Sequence, residues 1–246
     1  MNTCFPAMSL LDEEIDSHPP WAYDRSGYNS SMDILYSDAE FLVVNKPAGL
    51  ATGPGGWEAG STSLLQALEA EYGRLWVVHR LDKVTSGLMV FARNPEAHRS
   101  LSMQFEQHET HKLYHAIVIG VPAWEEHTAR HPLRINVGHS HRTAVDHAKG
   151  KPSETTFHVL ERYNGYALIT ARPRTGRTHQ VRVHASALGF PLLGDSLYGA
   201  PPTVLITRPA LHAQTLEFSY KGQPFQFTAP YAVDFKQALA QLRAGK

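Results

Sequence analysis

Residues 77–94 read VVHRLDKVTSGLMVFARN, and their reading decides the fold. Two apolar runs, at 75–78 and 87–92, have the composition of buried strands, and between them sits a polar turn carrying Asp82 beside Arg80. As a solvated surface pair, Arg80 and Asp82 would contribute little to stability. Their meaning therefore depends on what the rest of the chain places around them.

Outward from this turn, short apolar runs at 34–36, 41–45 and 113–119 predict further strands. A helix is expected over 63–72, with Leu64, Leu65, Leu68 and Tyr72 on one face. A second begins at Asn94, an N-cap followed by Pro95 at the first helical position, and buries Leu101 and Phe105. Strands over 155–161 and 166–172 flank Asn164-Gly165, a dipeptide that favours a tight hairpin. Residues 178–188 predict a helix with Val181, His184, Ala185 and Leu188 on a shared face and Gly189 ending it. Leu216, Phe218 and Tyr220 alternate with polar residues, Gly222 turns the chain, and Phe225 and Phe227 alternate again. Hairpins interrupted by helices specify an α+β fold built on a mixed, largely antiparallel sheet flanked by helices and loops.

Composition narrows the function. The chain has 246 residues, 42% of them hydrophobic and 19% charged, enough apolar material for one main domain, expected over 33–246. No run approaches the length a membrane helix needs and no export signal is visible, so a cytoplasmic protein with no membrane partner is expected. The single cysteine, Cys4, supports neither an internal disulfide nor a cysteine-based zinc site. Residues 1–32, acidic and containing Pro6, Pro19 and Pro20, are expected to be a flexible leader. The net charge of zero conceals an asymmetry: residues 41–246 hold 22 Lys and Arg against 15 Asp and Glu. Arg172, Arg174, Arg177 and Arg182 fall in a stretch free of acids, the local stripe that contact with a phosphate backbone requires.

HRLDxxTSG, at 79–87, resembles the central motif of the RluA-type family of RNA pseudouridine synthases. Seven fixed letters arise by chance on the order of once in 10^7 chains of this size, so shared ancestry is the remaining explanation. Two further segments match in order and spacing: LYSDAEFLVVNKPAGL at 35–50 and TGRTHQVRVHASALGFPLLGDSLYG at 175–199. With Lys112-Leu113-Tyr114, Leu211-His212-Ala213 and the closing FTAP at 227–230, the resemblance covers about residues 33–235 and implies the pseudouridine synthase fold.

The implied reaction breaks the bond from the uracil nitrogen to the sugar, turns the base, and rejoins it through carbon 5. The resemblance gives Asp82 the catalytic carboxylate, acting either on the anomeric carbon or on the neighbouring ribose proton. A carboxylate in a closed pocket needs a fixed cation to stay ionised, and Arg182 matches the family residue for this role; its helix position, at the edge of the buried face, predicts a pair with Asp82. Tyr114 corresponds to the tyrosine that stacks on the target base, and Arg80 to the arginine thought to enter the space a flipped base vacates. Arg174, Arg177 and His179 are expected to contact RNA. Thr85, Ser86 and Gly87 are expected to fix the catalytic loop.

No cofactor is implied. His139, His141 and His147 lack metal-site spacing, so no metal is expected. Val84 occupies a variable position of the motif, and the 32-residue leader is too short for the RNA-binding domain many relatives carry, which leaves substrate choice to the catalytic domain of an expected monomer. The resemblance implies ribosomal or transfer RNA as the expected target. Two other functions use the same residues: an RNA-binding or assembly factor without turnover, and a base-excising hydrolase that would require a positioned water.

Overall fold

The computed structural model describes residues 33–54, 62–138 and 142–245. The expected leader at 1–32 and the histidines His139 and His141 lie outside the described residues. Strands β1 (Asp33–Ser37) and β2 (Phe41–Lys46) form a hairpin whose turn is closed by Asp38, which accepts hydrogen bonds from the Glu40 and Phe41 backbone N–H groups. Strand β4 (Ser86–Ala92) pairs with β2 on one side. On its other side it meets β11 (Leu211–Tyr220) at Ser86 and Gly87, and the short β3 (Trp76–Val77) at Phe91 and Ala92. Covered on both edges and both faces, β4 is buried throughout, which is why it reads as a continuous apolar run.

The sheet continues from β11 through β5 (His111–Ile119), β10 (Tyr166–Pro173) and β9 (Thr155–Tyr163) to β6 (Glu126–Ala129), with β12 (Gln223–Thr228) folded back onto β11. Every pairing in it is antiparallel except β4 with β11. The β9–β10 hairpin turns at Asn164-Gly165 as expected, with Gly165 in the left-handed region. β7 (Leu133–Val137) and β8 (Arg142–Val145) form a separate two-stranded ribbon.

Helix packing follows the two-residue period of the strands. Ala116 and Val118 face one side of β5 and pack, with Val159 and Ile169, against Val181 and Ala185 of α3 (Gln180–Ala187). Ile117 and Leu168 face the other side and pack against Phe235, Ala238 and Leu239 of α4 (Val233–Ala244). α2 (Pro95–Glu106) begins on the predicted Asn94 cap and seats Ala97 and Leu101 against Leu88, Val90 and Phe218. α1 (Leu64–Tyr72) begins with a reciprocal Ser63–Gln66 capping box.

The structure corrects the sequence expectations in three places. The helix expected from 178 starts at Gln180, because His179 takes a left-handed backbone conformation at its N-cap. The segment at 139–147, to which the sequence reading assigned no element, contains strand β8 in its described part. Helix α4 and strands β6 and β7 had no counterpart in the sequence reading. No helix among the described residues is long and apolar enough to cross a membrane.

Candidate active site

Asp82 is displayed on a loop whose backbone is tied at nearly every residue. The Thr52 hydroxyl donates to the Leu81 carbonyl and accepts from the Leu81 N–H at 3.1 and 3.3 Å. The Asp82 carbonyl accepts from the Thr85 N–H, closing the turn. The Lys83 carbonyl accepts from the Gly49 N–H at 2.7 Å and from the Lys46 ammonium at 3.3 Å. The Val84 carbonyl accepts from Arg208, which also donates to the Ser86 hydroxyl and grips Asp234 of α4 with two bonds of 2.7 and 2.8 Å. Buried backbone polar groups need such partners, and supplying them from two distant segments, residues 46–52 and Arg208, removes the loop's freedom to drift.

Lys46 is wholly buried and also donates to the carbonyls of Pro47 and Leu50. Burial, assisted by the Arg208 charge, lowers its pKa to about 7. The Asn-Lys-Pro-x-Gly turn therefore acts as a plug beneath the Asp82 loop. Ser86 is shared between Arg208 and the Nδ1 of His212, a ring that burial holds at a pKa of about 4. Ser86 thus links the Arg208 guanidinium to the His212 ring, 2.9 Å from Nδ1.

Sheet register delivers the second component. Lys46, Gly87, Ala213, Tyr114 and Ala171 lie in one row across five strands. Gly87 permits this row: it has a left-handed φ of 112°, and a Cβ there would collide with the Ala213 backbone. Tyr114 thereby projects into the cleft that Asp82 enters from the loop. Burial first, and the Asp82 charge second, push its pKa well above the ordinary phenol value, so it stays a neutral phenol.

The third component comes from α3. Arg182 is buried at 5% exposure and donates two hydrogen bonds to the fully buried carboxylate of Asp195, at 2.7 and 2.8 Å. Its remaining nitrogen, Nη1, stops 3.8 Å from the Asp82 carboxylate. Burial opposes the Arg182 charge, but the Asp195 bonds outweigh it and hold the pKa above the ordinary arginine value. The guanidinium also lies over the Tyr198 ring, 5.0 Å from its centre. The expected Arg182–Asp82 pair thus exists as a longer contact, secondary to Asp195.

His179 sits inside this cluster. Its Nε2 is 3.8 Å from the Asp82 carboxylate and its Nδ1 is 2.9 Å from the Tyr198 hydroxyl, which accepts from the Thr143 N–H. Burial lowers the His179 pKa despite the opposing pull of Asp82, leaving a neutral ring. The ring therefore bridges the Tyr198 hydroxyl and the Asp82 carboxylate.

These groups line a cavity of about 200 Å³. Arg80 is exposed on its wall and Arg177 is half-buried there, whereas Arg174 lies outside it in an adjoining groove. Asp195, Tyr198, Thr52 and Arg208 are the site residues that sequence reasoning missed. The first two stand inside the quoted GDSLYG segment, so their motif was visible although their contacts were not. Thr52 and Arg208 carry no sequence signal; only tertiary packing brings them to the loop. Among the described residues, no group of three or more His, Cys, Asp or Glu could hold a metal ion.

A half-buried carboxylate on a rigid loop, a tyrosine facing it across the cavity and an arginine paired with a buried aspartate, set in this sheet, define a class. The chain belongs to the RNA pseudouridylate synthase family, a family of isomerases, whose model matches residues 40–187. It is 38% identical over 204 residues to the dual-specificity RNA pseudouridine synthase RluA of Salmonella typhi, covering 82% of this chain and 93% of that one. It is 34% identical over 258 residues to the ribosomal large subunit pseudouridine synthase D of Haemophilus ducreyi, covering 95% and 75%. Among solved structures, human RNA pseudouridylate synthase domain containing 1 matches with a TM-score of 0.70 at 28% identity, over 87% of this chain and 95% of that one.

Proposed function

We propose that the protein converts uridine to pseudouridine in ribosomal or transfer RNA, in the cytoplasm, with Asp82 as the group that acts on the ribose. The observation that carries this reading is the setting of Asp82: a carboxylate on an immobilised loop, opening into a base-sized cavity, with Arg182 and His179 each 3.8 Å from the same oxygen. The reaction is an isomerisation. The bond from N1 to the anomeric carbon breaks, a bond from C5 forms, C5 loses a proton and N1 gains one, so atoms and electrons balance without an external reactant.

Each neighbour has a part in this. Tyr114 supplies an aromatic face to hold the detached uracil while it turns. Arg182, fixed by Asp195, opposes the desolvation of Asp82 as the base closes the cavity. Arg80, exposed at the cavity wall, occupies the space left by the extruded base. Two polar atoms among the cavity-lining residues, Thr85 Oγ1 and Arg177 Nε, are buried and have no partner among the described residues. Such groups are costly unless something pairs with them, and a bound nucleotide offers acceptors and donors to both.

The test is to incubate the protein with ribosomal and transfer RNA isolated from cells lacking it, and to quantify pseudouridine and free uracil by mass spectrometry. Pseudouridine formed by wild type and not by Asp82→Asn is the expected result. Free uracil without pseudouridine would make the protein a base-excising hydrolase. RNA binding with neither product would make it a binding factor.

A further inference from the structure

The β5–β10 ladder ends at the Tyr114–Ala171 pair. Beyond it the strands part company. Leu113, Lys112 and His111 of β5 pair only with β11, while Arg172 and Pro173 of β10 pair with Thr156 and Thr155 of β9. Pro173 has no N–H to offer a ladder, which accords with the split. The gap is a groove, and it shares Lys112 and Pro173 with the lining of the Asp82 cavity. Cavity and groove are thus continuous, with Lys112 at the junction.

The charges of the groove are unevenly satisfied. Its cations Lys112, Arg172 and Arg174 have no carboxylate within 4 Å among the described residues. Its two carboxylates are engaged: Glu154 by Arg130 at 2.8 Å, and Glu217 by the Gln226 amide at 3.0 Å. The Lys112 ammonium rests over the Phe105 ring and is half-buried, and burial lowers its pKa, so an anionic ligand would relieve it. Unpaired cations in a polar groove that opens onto a nucleotide-sized cavity fit a polyanion whose repeat carries one charge per residue.

We propose that the split between β5 and β10 is the track for the RNA strand flanking the target nucleotide, with Lys112 holding the phosphate at the mouth of the cavity and Arg172 and Arg174 holding those beyond. This rests on the proposed function in taking RNA as the substrate. It adds a route for the strand and gives Lys112 a specific part in it. The path requires a single strand, since the junction lies beside the cavity into which the base must turn.

The experiment reads binding, not turnover. Affinity for oligouridylate is measured by fluorescence anisotropy across a range of salt concentrations for wild type, Lys112→Met, Arg172→Gln and Arg174→Gln, with Arg99→Gln as a control. Arg99 is exposed on α2 in a separate hollow and gives the same change of charge. Each groove variant is expected to weaken binding several-fold and to make the dependence of log K on log salt shallower by about 0.7, the contribution of one phosphate of a single strand. Groove variants indistinguishable from Arg99→Gln would overturn the track. The outcome is separable from the question of activity: a wild-type protein that binds with the expected slopes but forms no pseudouridine would sink the proposed reaction and leave the track standing.

Discussion

Arg182 spends two of its hydrogen bonds on Asp195, at 2.7 and 2.8 Å, and presents its third nitrogen to Asp82 at 3.8 Å. Asp195 thus fixes the cation without consuming the Asp82 carboxylate. A direct bidentate pair would engage a lone pair on each Asp82 oxygen and hold the carboxylate to the arginine. The longer contact supplies charge and keeps the carboxylate available.

The arrangement makes Arg182 and Asp195 a unit. Arg182→Lys loses the two-pronged grip and is expected to lower turnover at least tenfold while RNA affinity changes less than threefold. Asp195→Asn is expected to lower turnover similarly and to cost about 3 to 5 kcal/mol of stability, because it leaves a buried arginine without its counter-charge. Single-turnover rates, binding curves and thermal melts separate these effects. Weakened binding with a shallower salt dependence and normal turnover at saturating RNA would return Arg182 to the role of a phosphate contact.

Asp82→Asn should abolish isomerisation and leave RNA affinity equal to or better than wild type, since it removes a negative charge from the path of a polyanion. The loop's anchors are all to its backbone and neighbours, so the melt should be unchanged. Turnover by this variant within tenfold of wild type would exclude Asp82 from the chemistry.

Gly87→Ala should be among the most damaging small substitutions in the chain. The added methyl meets the Ala213 backbone, and the residue is held at a φ that L side chains avoid. A loss of about 3 kcal/mol or more is expected, with turnover falling as the row carrying Tyr114 shifts. Chemical denaturation and single-turnover assays measure the two consequences. A neutral result would show that β4 and β11 can separate without affecting the site.

Acid should destabilise the fold through buried His212 and half-buried His79 and His115. Burial holds His212 and His115 at about 4 and His79, stacked on Phe105, at about 3. Unfolded, these rings take up protons near pH 6.5; folded, they do so only near pH 3 to 4. Between those limits the unfolded state binds more protons, so stability falls as pH drops from about 6.5 toward 4 and is unaffected by these groups above pH 7. His212→Gln should flatten the slope by about 1.4 kcal/mol per pH unit, one proton's worth. Urea melts at stepped pH values test this, and an unchanged slope would show that His212 takes its proton while folded.

Sequence alone determined the central facts of this protein. Residues 77–94 and 175–199 identified the family, the class of fold and the turn proposed to carry the chemistry, because a family motif fixes letters and a buried strand such as β4 must be apolar throughout. Asn94-Pro95 and Asn164-Gly165 placed a helix start and a hairpin because local backbone preference suffices for both. The tertiary structure decided the partners. Nothing local in the chain says that Arg182 closes on Asp195, that Arg208 reaches back 124 residues to Val84, or that Lys46 plugs the loop at Lys83. Helix α4 was missed for a related reason: its few apolar positions become a core face only against Ile117 and Leu168, which the sheet brings to it. Periodicity and turn chemistry are written within a few residues, whereas the pairing of buried charges is settled by which strands become neighbours, and that is set only when the whole sheet closes.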